Sequence, residues 1–198
     1  MVINRPHLIL AYHGCGRAVR DAVVRGERSL EPSRNEYDWL GAGIYFWEHS
    51  YERARQWAEA RHANPKGTTR IQEPSVLGAV VMLGHCLDLL DSRYLSIVKD
   101  AYDKFLPSLQ NANVPRNIGG ADNVLRNLDC AVIRYLHQTV KEDGLPPFDT
   151  VRSVFWEGEP LYPDAGFRTK NHIQVCVVNP ECIRGYFIPA EDRKDKKG

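Results

Sequence analysis

The sequence predicts an α+β domain with its strands gathered toward the C-terminal end. Three observations carry that prediction. Apolar runs and amphipathic stretches follow the order β-α-β-α-β-α-α-β-β-β, which lacks the strict alternation of a doubly wound parallel sheet. Three strand-like runs, 151–156, 173–178 and 183–188, succeed one another without a helix between them. Two amphipathic stretches, 91–106 and 122–143, separate these runs from the earlier strands.

Each element has its own signal. Residues 8–12 form a short apolar run that leaves into His13-Gly14, the mark of a buried strand ending in a tight turn. Residues 16–25 place Val19, Ala22 and Val23 at helical spacing before Gly26 stops the helix. The stretch 29–40 carries Pro32, Ser33, Asn35 and Asp38, which is loop chemistry. Residues 41–47 read as a glycine-flanked strand. Ser50 is placed to cap a helix to about Ala63, with Ala54, Trp57, Ala58 and Arg61 along one stripe. The continuous apolar run 76–83 is a central strand. Asp91 opens the first of the two later helices, and Gly144 with Pro146-Pro147 closes the second. The segment 107–120 reads as loop. The charged stretch 190–198 reads as a frayed tail.

With 198 residues, 43% apolar and 26% charged, the chain is long enough for one well-buried core and is expected to be a single domain over 1–198. A formal net charge of +1 excludes a protein held on nucleic acid or anionic lipid mainly by charge. No apolar run approaches the roughly 20 residues of a membrane-spanning helix. The first residues, Met1-Val2-Ile3-Asn4-Arg5-Pro6, hold no apolar leader core, and the expectation is a cytoplasmic protein. Five cysteines, none in a C-x-x-C pair, then read as reduced thiols. His172, Cys176 and Cys182 lie close in sequence, but their spacing fits no common zinc site, so no metal is expected.

Chemistry concentrates at three places. Tyr12-His13-Gly14 stands at a strand end. Leu40-Gly41-Ala42-Gly43-Ile44-Tyr45-Phe46 forms a glycine-rich entry to a strand. His172-Ile173-Gln174-Val175-Cys176 lies on a late strand, where alternation puts Ile173, Val175 and Val177 on one face and His172, Gln174 and Cys176 on the other. A polar face on an otherwise apolar strand suggests a cleft wall.

Taken in order, these motifs resemble the ADP-ribosyltransferase superfamily, on the branch of the poly(ADP-ribose) polymerases and diphtheria toxin. The strand-His-Gly at 8–14 resembles the family's first strand, and 40–46 resembles its glycine-glycine-Ile-Tyr-Phe strand. Residues 78–85 resemble the third strand, 174–179 the strand that begins with the catalytic glutamate, and 183–187 the closing strand. The likeness spans 8–188, with the two helices of 90–147 as an insertion. It implies a split antiparallel sheet with NAD bound across the cleft. The implied reaction breaks the nicotinamide–ribose bond and passes ADP-ribose to a macromolecular acceptor, protein or nucleic acid. In that reading His13 holds a ribose hydroxyl, the Gly14 backbone meets the carboxamide, and Tyr45 and Trp57 flank the nicotinamide ring. Arg34 is a candidate clamp on pyrophosphate. Gln174 replaces the usual glutamate and can bond a hydroxyl but carries no charge, so Glu157 is a candidate second acid or base. Small intracellular toxins and phage-defence effectors of this build imply an antitoxin partner, by analogy of fold alone.

Plainer readings stand beside these. His13 can be a strand-end histidine, Trp57 a core aromatic, Gln174 a plain strand residue, and Arg34 a solvated loop arginine. A nucleophilic thiol at Cys15 is a further reading, weakened because neighbours across a turn have no fixed geometry. At the level of function, the alternative is a catalytically inactive module that binds NAD or ADP-ribose, which the glutamine at 174 favours.

Overall fold

The computed structural model describes residues 8–65, 70–110, 113–119 and 125–193. It is a mixed α+β protein built on one mostly antiparallel seven-stranded sheet. The elements in chain order are β1 (Leu8–Gly16), α1 (Arg17–Val24), β2 (Ile44–Glu48), α2 (Tyr51–Ala63), β3 (Pro74–Met82) and β4 (Cys86–Asp88). There follow α3 (Ser92–Ser108), β5 (Asn117–Ile118), β6 (Leu125–Arg126), α4 (Asn127–Glu142), β7 (Thr150–Phe155), β8 (His172–Val177), β9 (Ile183–Phe187) and α5 (Ala190–Arg193). The sheet runs β4-β7-β8-β2-β1-β3-β9, with β4 and β7 its one parallel pair.

Alternation along the strands sorts the core onto two faces. Ile9, Ala11 and Cys15 of β1 join Ile44 and Phe46 of β2, Leu77, Ala79 and Val81 of β3 and Val175 and Val177 of β8 in one cluster, covered by Val19 and Val23 of α1. On the other face α2 packs Ala54 against Val76 and Trp47. Beside it α3 and α4 bring Ala101, Phe105, Val132, Ile133 and Leu136 onto Leu87, Val151 and Cys176. α3 and α4 therefore share a core with the sheet. Ala101 and Phe105 of α3 and Val132, Ile133, Leu136 and Val140 of α4 are buried there, while Ile97 stays exposed.

The sheet is continuous but thinly joined in its middle. β1 pairs with β3 over nine positions, from Leu8 with Met82 to Gly16 with Pro74, yet meets β2 only through Ala11 with Glu48 and Tyr12 with Trp47. Beyond that point β2 stays with β8, pairing Ile44 to Val177 through Trp47 to Gln174. The two central strands part.

Several local expectations are corrected. Ser50 precedes α2 but makes no side-chain capping bond. β4 was not visible as a strand; it is three residues long and exists by pairing with β7. The stretch read as loop at 107–120 carries the end of α3, including Pro107, and β5, which pairs with β6. Residues 122–124 of the expected second long helix lie outside the described residues, and 125–126 are strand. α4 starts at Asn127 because Asn117 of β5 reaches across, its Oδ1 accepting from the N–H of Leu128 and Asp129. That side chain does for the helix end what a local N-cap would do.

The expected fraying does not hold for 190–193. α5 is anchored by Asp192, 5% exposed, which accepts from Arg20 Nη1 at 2.8 Å, the Val76 N–H at 2.9 Å, and the hydroxyls of Ser75 and Tyr51. Burial pushes this carboxyl up, but the hydrogen bonds from Ser75, Tyr51, Val76 and Arg20 outweigh it and hold it below its ordinary value. Residues 194–198 lie outside the described residues.

Candidate functional site

The gap between β1 and β2 opens into a cavity of about 680 Å³. Its walls include His13, Gly14, Tyr45, Trp57, Glu157 and Gln174. Six of the seven site residues read from the sequence thus meet at one place, although they come from β1, β2, α2, the end of β7 and β8. The seventh, Arg34, is exposed and is not among the residues that line the cavity. Its carbonyl accepts from Arg134 of α4, which ties this loop to the helix.

The local geometry follows from strand parity. The Leu10 carbonyl accepts from the N–H of His49 just past β2, so Leu10, Tyr12 and Gly14 direct their backbone polar groups toward β2. A continued ladder would set Gly14 opposite Tyr45. Because the strands part, His13 crosses instead, and its Nδ1 lies 2.8 Å from the Tyr45 carbonyl oxygen. A carbonyl can only accept, so Nδ1 carries the proton and Nε2 keeps its lone pair. Burial lowers the His13 pKa, with the bond to Tyr45 opposing, and the neutral ring is the form present near pH 7. The N–H and C=O of Gly14 are left facing the gap, with no β2 residue paired to them.

The glycine itself has a different cause from the one expected. A Cβ on Gly14 would lie 2.3 Å from the Ala54 carbonyl oxygen and 3.1 Å from Cε3 of Trp57. Gly14 is bare because α2 crosses there, and the availability of its peptide groups comes from the parting of the strands. The same crossing seats Trp57 over Gly14. Tyr45 is held from the other side. Its hydroxyl donates to the Gly41 carbonyl at 2.8 Å and accepts from the Leu40 N–H at 3.0 Å. Burial raises its pKa, so it remains a phenol.

Gln174 is fixed by a residue the sequence did not single out. The Trp39 indole Nε1 donates to Gln174 Oε1 at 2.8 Å. An indole N–H has no acceptor role, so the amide oxygen must face it and the amide NH₂ is left to face the cavity. Trp39 in turn lies under the guanidinium of Arg126, 5.0 Å from Cζ to the ring centroid, and that same guanidinium covers Phe155 at 4.5 Å. Glu157 is not free. Its Oε2 lies 3.1 Å from Arg53 Nη2 of α2. His172, on the Gln174 face, is buried and stacks on Phe155. Its Nδ1 donates to the Lys170 carbonyl, and burial, with that bond opposing, lowers its pKa to about 4.

The remaining sequence candidates separate. Burial pushes the Cys15 thiol up to about 12, which disfavours a thiolate there. Cys176 and Cys182 fall in clusters on opposite faces of the sheet and do not meet His172 around a common point. Among the described residues no group of three or more His, Cys, Asp or Glu is arranged to hold a metal ion. Among them too, no helix is long and apolar enough to cross a membrane. Missed by the sequence reading were Trp39, Arg53 and Arg61. Only the last two left a signal, as Arg53, Trp57 and Arg61 recur every four residues on α2. No family model, curated protein or solved structure matches this chain.

Proposed function

We propose that this chain is an NAD-dependent mono-ADP-ribosyltransferase, and that its parted sheet is the split sheet of that superfamily. The observation that supports this most is the gap after Tyr12 and Trp47, where a strand edge, a neutral histidine and two aromatic rings border one cavity. When NAD is bound, it supplies a glycosidic bond whose cleavage leaves positive charge on the ribose.

The chain's own residues suit that task. The Gly14 N–H and C=O offer one donor and one acceptor from a single residue, the complement of a carboxamide. Tyr45 and Trp57 supply flat apolar faces for the attached ring. His13 Nε2 accepts from a ribose hydroxyl, because the bond from Nδ1 to Tyr45 sets the tautomer. The Gln174 amide NH₂ donates to a second hydroxyl oxygen. Glu157 brings a carboxylate to the same cavity, and its pairing with Arg53 makes it a positioned counter-charge before it is a base. Holding the ring and the sugar in one orientation is itself worth several kcal/mol of barrier.

A second reading, an inactive module that binds NAD or ADP-ribose, is favoured by one feature. Gln174 has its oxygen committed to Trp39 and presents only N–H groups, which cannot offset a cation. Incubation with NAD and an assay of free nicotinamide separates the two. Release that is lost in His13→Ala with the fold retained supports the enzyme. Tight NAD binding with no release, and no transfer to cellular protein or nucleic acid, replaces it with the binding module.

A further inference from the structure

The stripe Arg53-Trp57-Arg61 on α2 lines the cavity, and its two arginines are not equivalent. Arg53 is engaged. It meets Glu157 at 3.1 Å and donates to Gln56 Oε1 at 2.6 Å. Arg61 makes no hydrogen bond and no ion pair among the described residues. Its guanidinium lies over the Trp57 ring, 5.2 Å from Cζ to the centroid. Stacking of that kind orients a guanidinium and lowers the entropy it loses on gripping an anion, while leaving its N–H fork unspent. An unspent N–H fork that lines a cavity suits a planar or tetrahedral anion.

We infer that Arg61 grips the diphosphate of a nucleotide ligand. This rests on the NAD reading for the orientation of that ligand, because Trp57 sits over Gly14, where the carboxamide end is placed. Arg61 lies one turn further, about 6 Å along the helix axis. One sugar fills that interval, so the first phosphate falls at the guanidinium. The planar fork matches two phosphate oxygens at once, which a lysine cannot do. The clamp assigned from sequence to Arg34 thus passes to a residue that lines the cavity.

The test is calorimetric titration of ADP, adenosine and NAD into the wild type, Arg61→Gln and Arg61→Lys. Arg61→Gln keeps a stem over Trp57, and thermal melting checks that α2 stays folded. ADP and NAD affinity fall about 10- to 100-fold in Arg61→Gln, the range expected for losing a charge-assisted bidentate contact. Arg61→Lys recovers part of the loss, adenosine binds all three proteins alike, and the salt dependence of ADP binding flattens in Arg61→Gln. ADP binding that is equal in wild type and Arg61→Gln, or absent from the wild type, overturns the assignment. Wild-type ADP binding that depends on Arg61, with no release of nicotinamide from NAD, leaves the anion site standing and removes the transferase.

Discussion

Replacing Gln174 by glutamate tests the electrostatics of the cavity most directly. The exchange conserves size and keeps the oxygen that Trp39 holds at 2.8 Å, so the side chain has no reason to move. What changes is the group facing the cavity, from an NH₂ donor to a carboxylate oxygen. Two unit charges 4 Å apart interact by about 4 kcal/mol at an effective dielectric of ~20, which corresponds to roughly 10³ in rate if the gain is confined to the transition state. Desolvation of the new carboxylate and repulsion from Glu157 subtract from this, and Arg53 already screens Glu157. The expected outcome is a nicotinamide-release rate raised about 10²- to 10³-fold with NAD affinity little changed. The assay is single-turnover release from radiolabelled NAD, beside a binding titration. An unchanged rate in a variant that binds NAD as the wild type does would show that position 174 does not face the reacting sugar, and the roles assigned around it would fall.

Two further outcomes concern the frame that holds the site. Tyr45→Phe removes both bonds of the hydroxyl, leaving the Leu40 N–H without a partner and the Gly41 carbonyl with only the Cys176 thiol at 3.8 Å. It is expected to cost about 2 kcal/mol in urea unfolding and to weaken NAD binding, and an unchanged urea midpoint refutes the bracing role. Asp192→Asn breaks a buried pair while Arg20 keeps Asp21 at 2.7 Å, so a loss near 3 kcal/mol is expected, about 6–12 °C in Tm. Its sign with pH is fixed. A carboxyl held below its ordinary value of 3.8 stabilises the fold above that pH and loses the contribution as pH falls through the folded pKa. Wild-type Tm should therefore drop on acidification below about pH 4 more steeply than the variant's; parallel curves contradict the anchoring.

What the sequence made legible was whatever its local periodicity encodes. Apolar runs located β1, β2, β3, β7, β8 and β9 within a few residues. Alternation placed Gln174 opposite Val175 in facing, and the structure puts Val175 and Val177 in the core with Gln174 on the cavity. Contacts of long sequence separation left no such trace. β4 exists by pairing with β7, 64 residues on, Cys86 facing Thr150. The Trp39 bond to Gln174 joins residues 135 apart. Asp192 reads as a charge in a polar tail, and only the folded chain shows five donors around it, Arg20, Ser75, Val76, Tyr51 and the more distant Arg55. Arg34 and Arg61 look alike as letters. Exposure outside the cavity for Arg34, and stacking on Trp57 in the cavity wall for Arg61, separate them.

The position of Gln174 also explains what the segment 90–147 contributes to the cavity. Arg126, at the start of α4, covers Trp39 and Phe155 with one guanidinium, and Trp39 spends its only donor on Gln174. Phe155 continues the stack to His172, which shares the Gln174 face of β8. A cation laid across two rings costs little entropy to keep there and resists displacement, so the indole is held flat and its N–H aimed. The amide orientation that decides between a donor and an acceptor in the cavity is therefore set from 90–147. Without that brace the Gln174 side chain would have free choice of which end to present, and the cavity wall would lose its polarity before the sheet lost its fold.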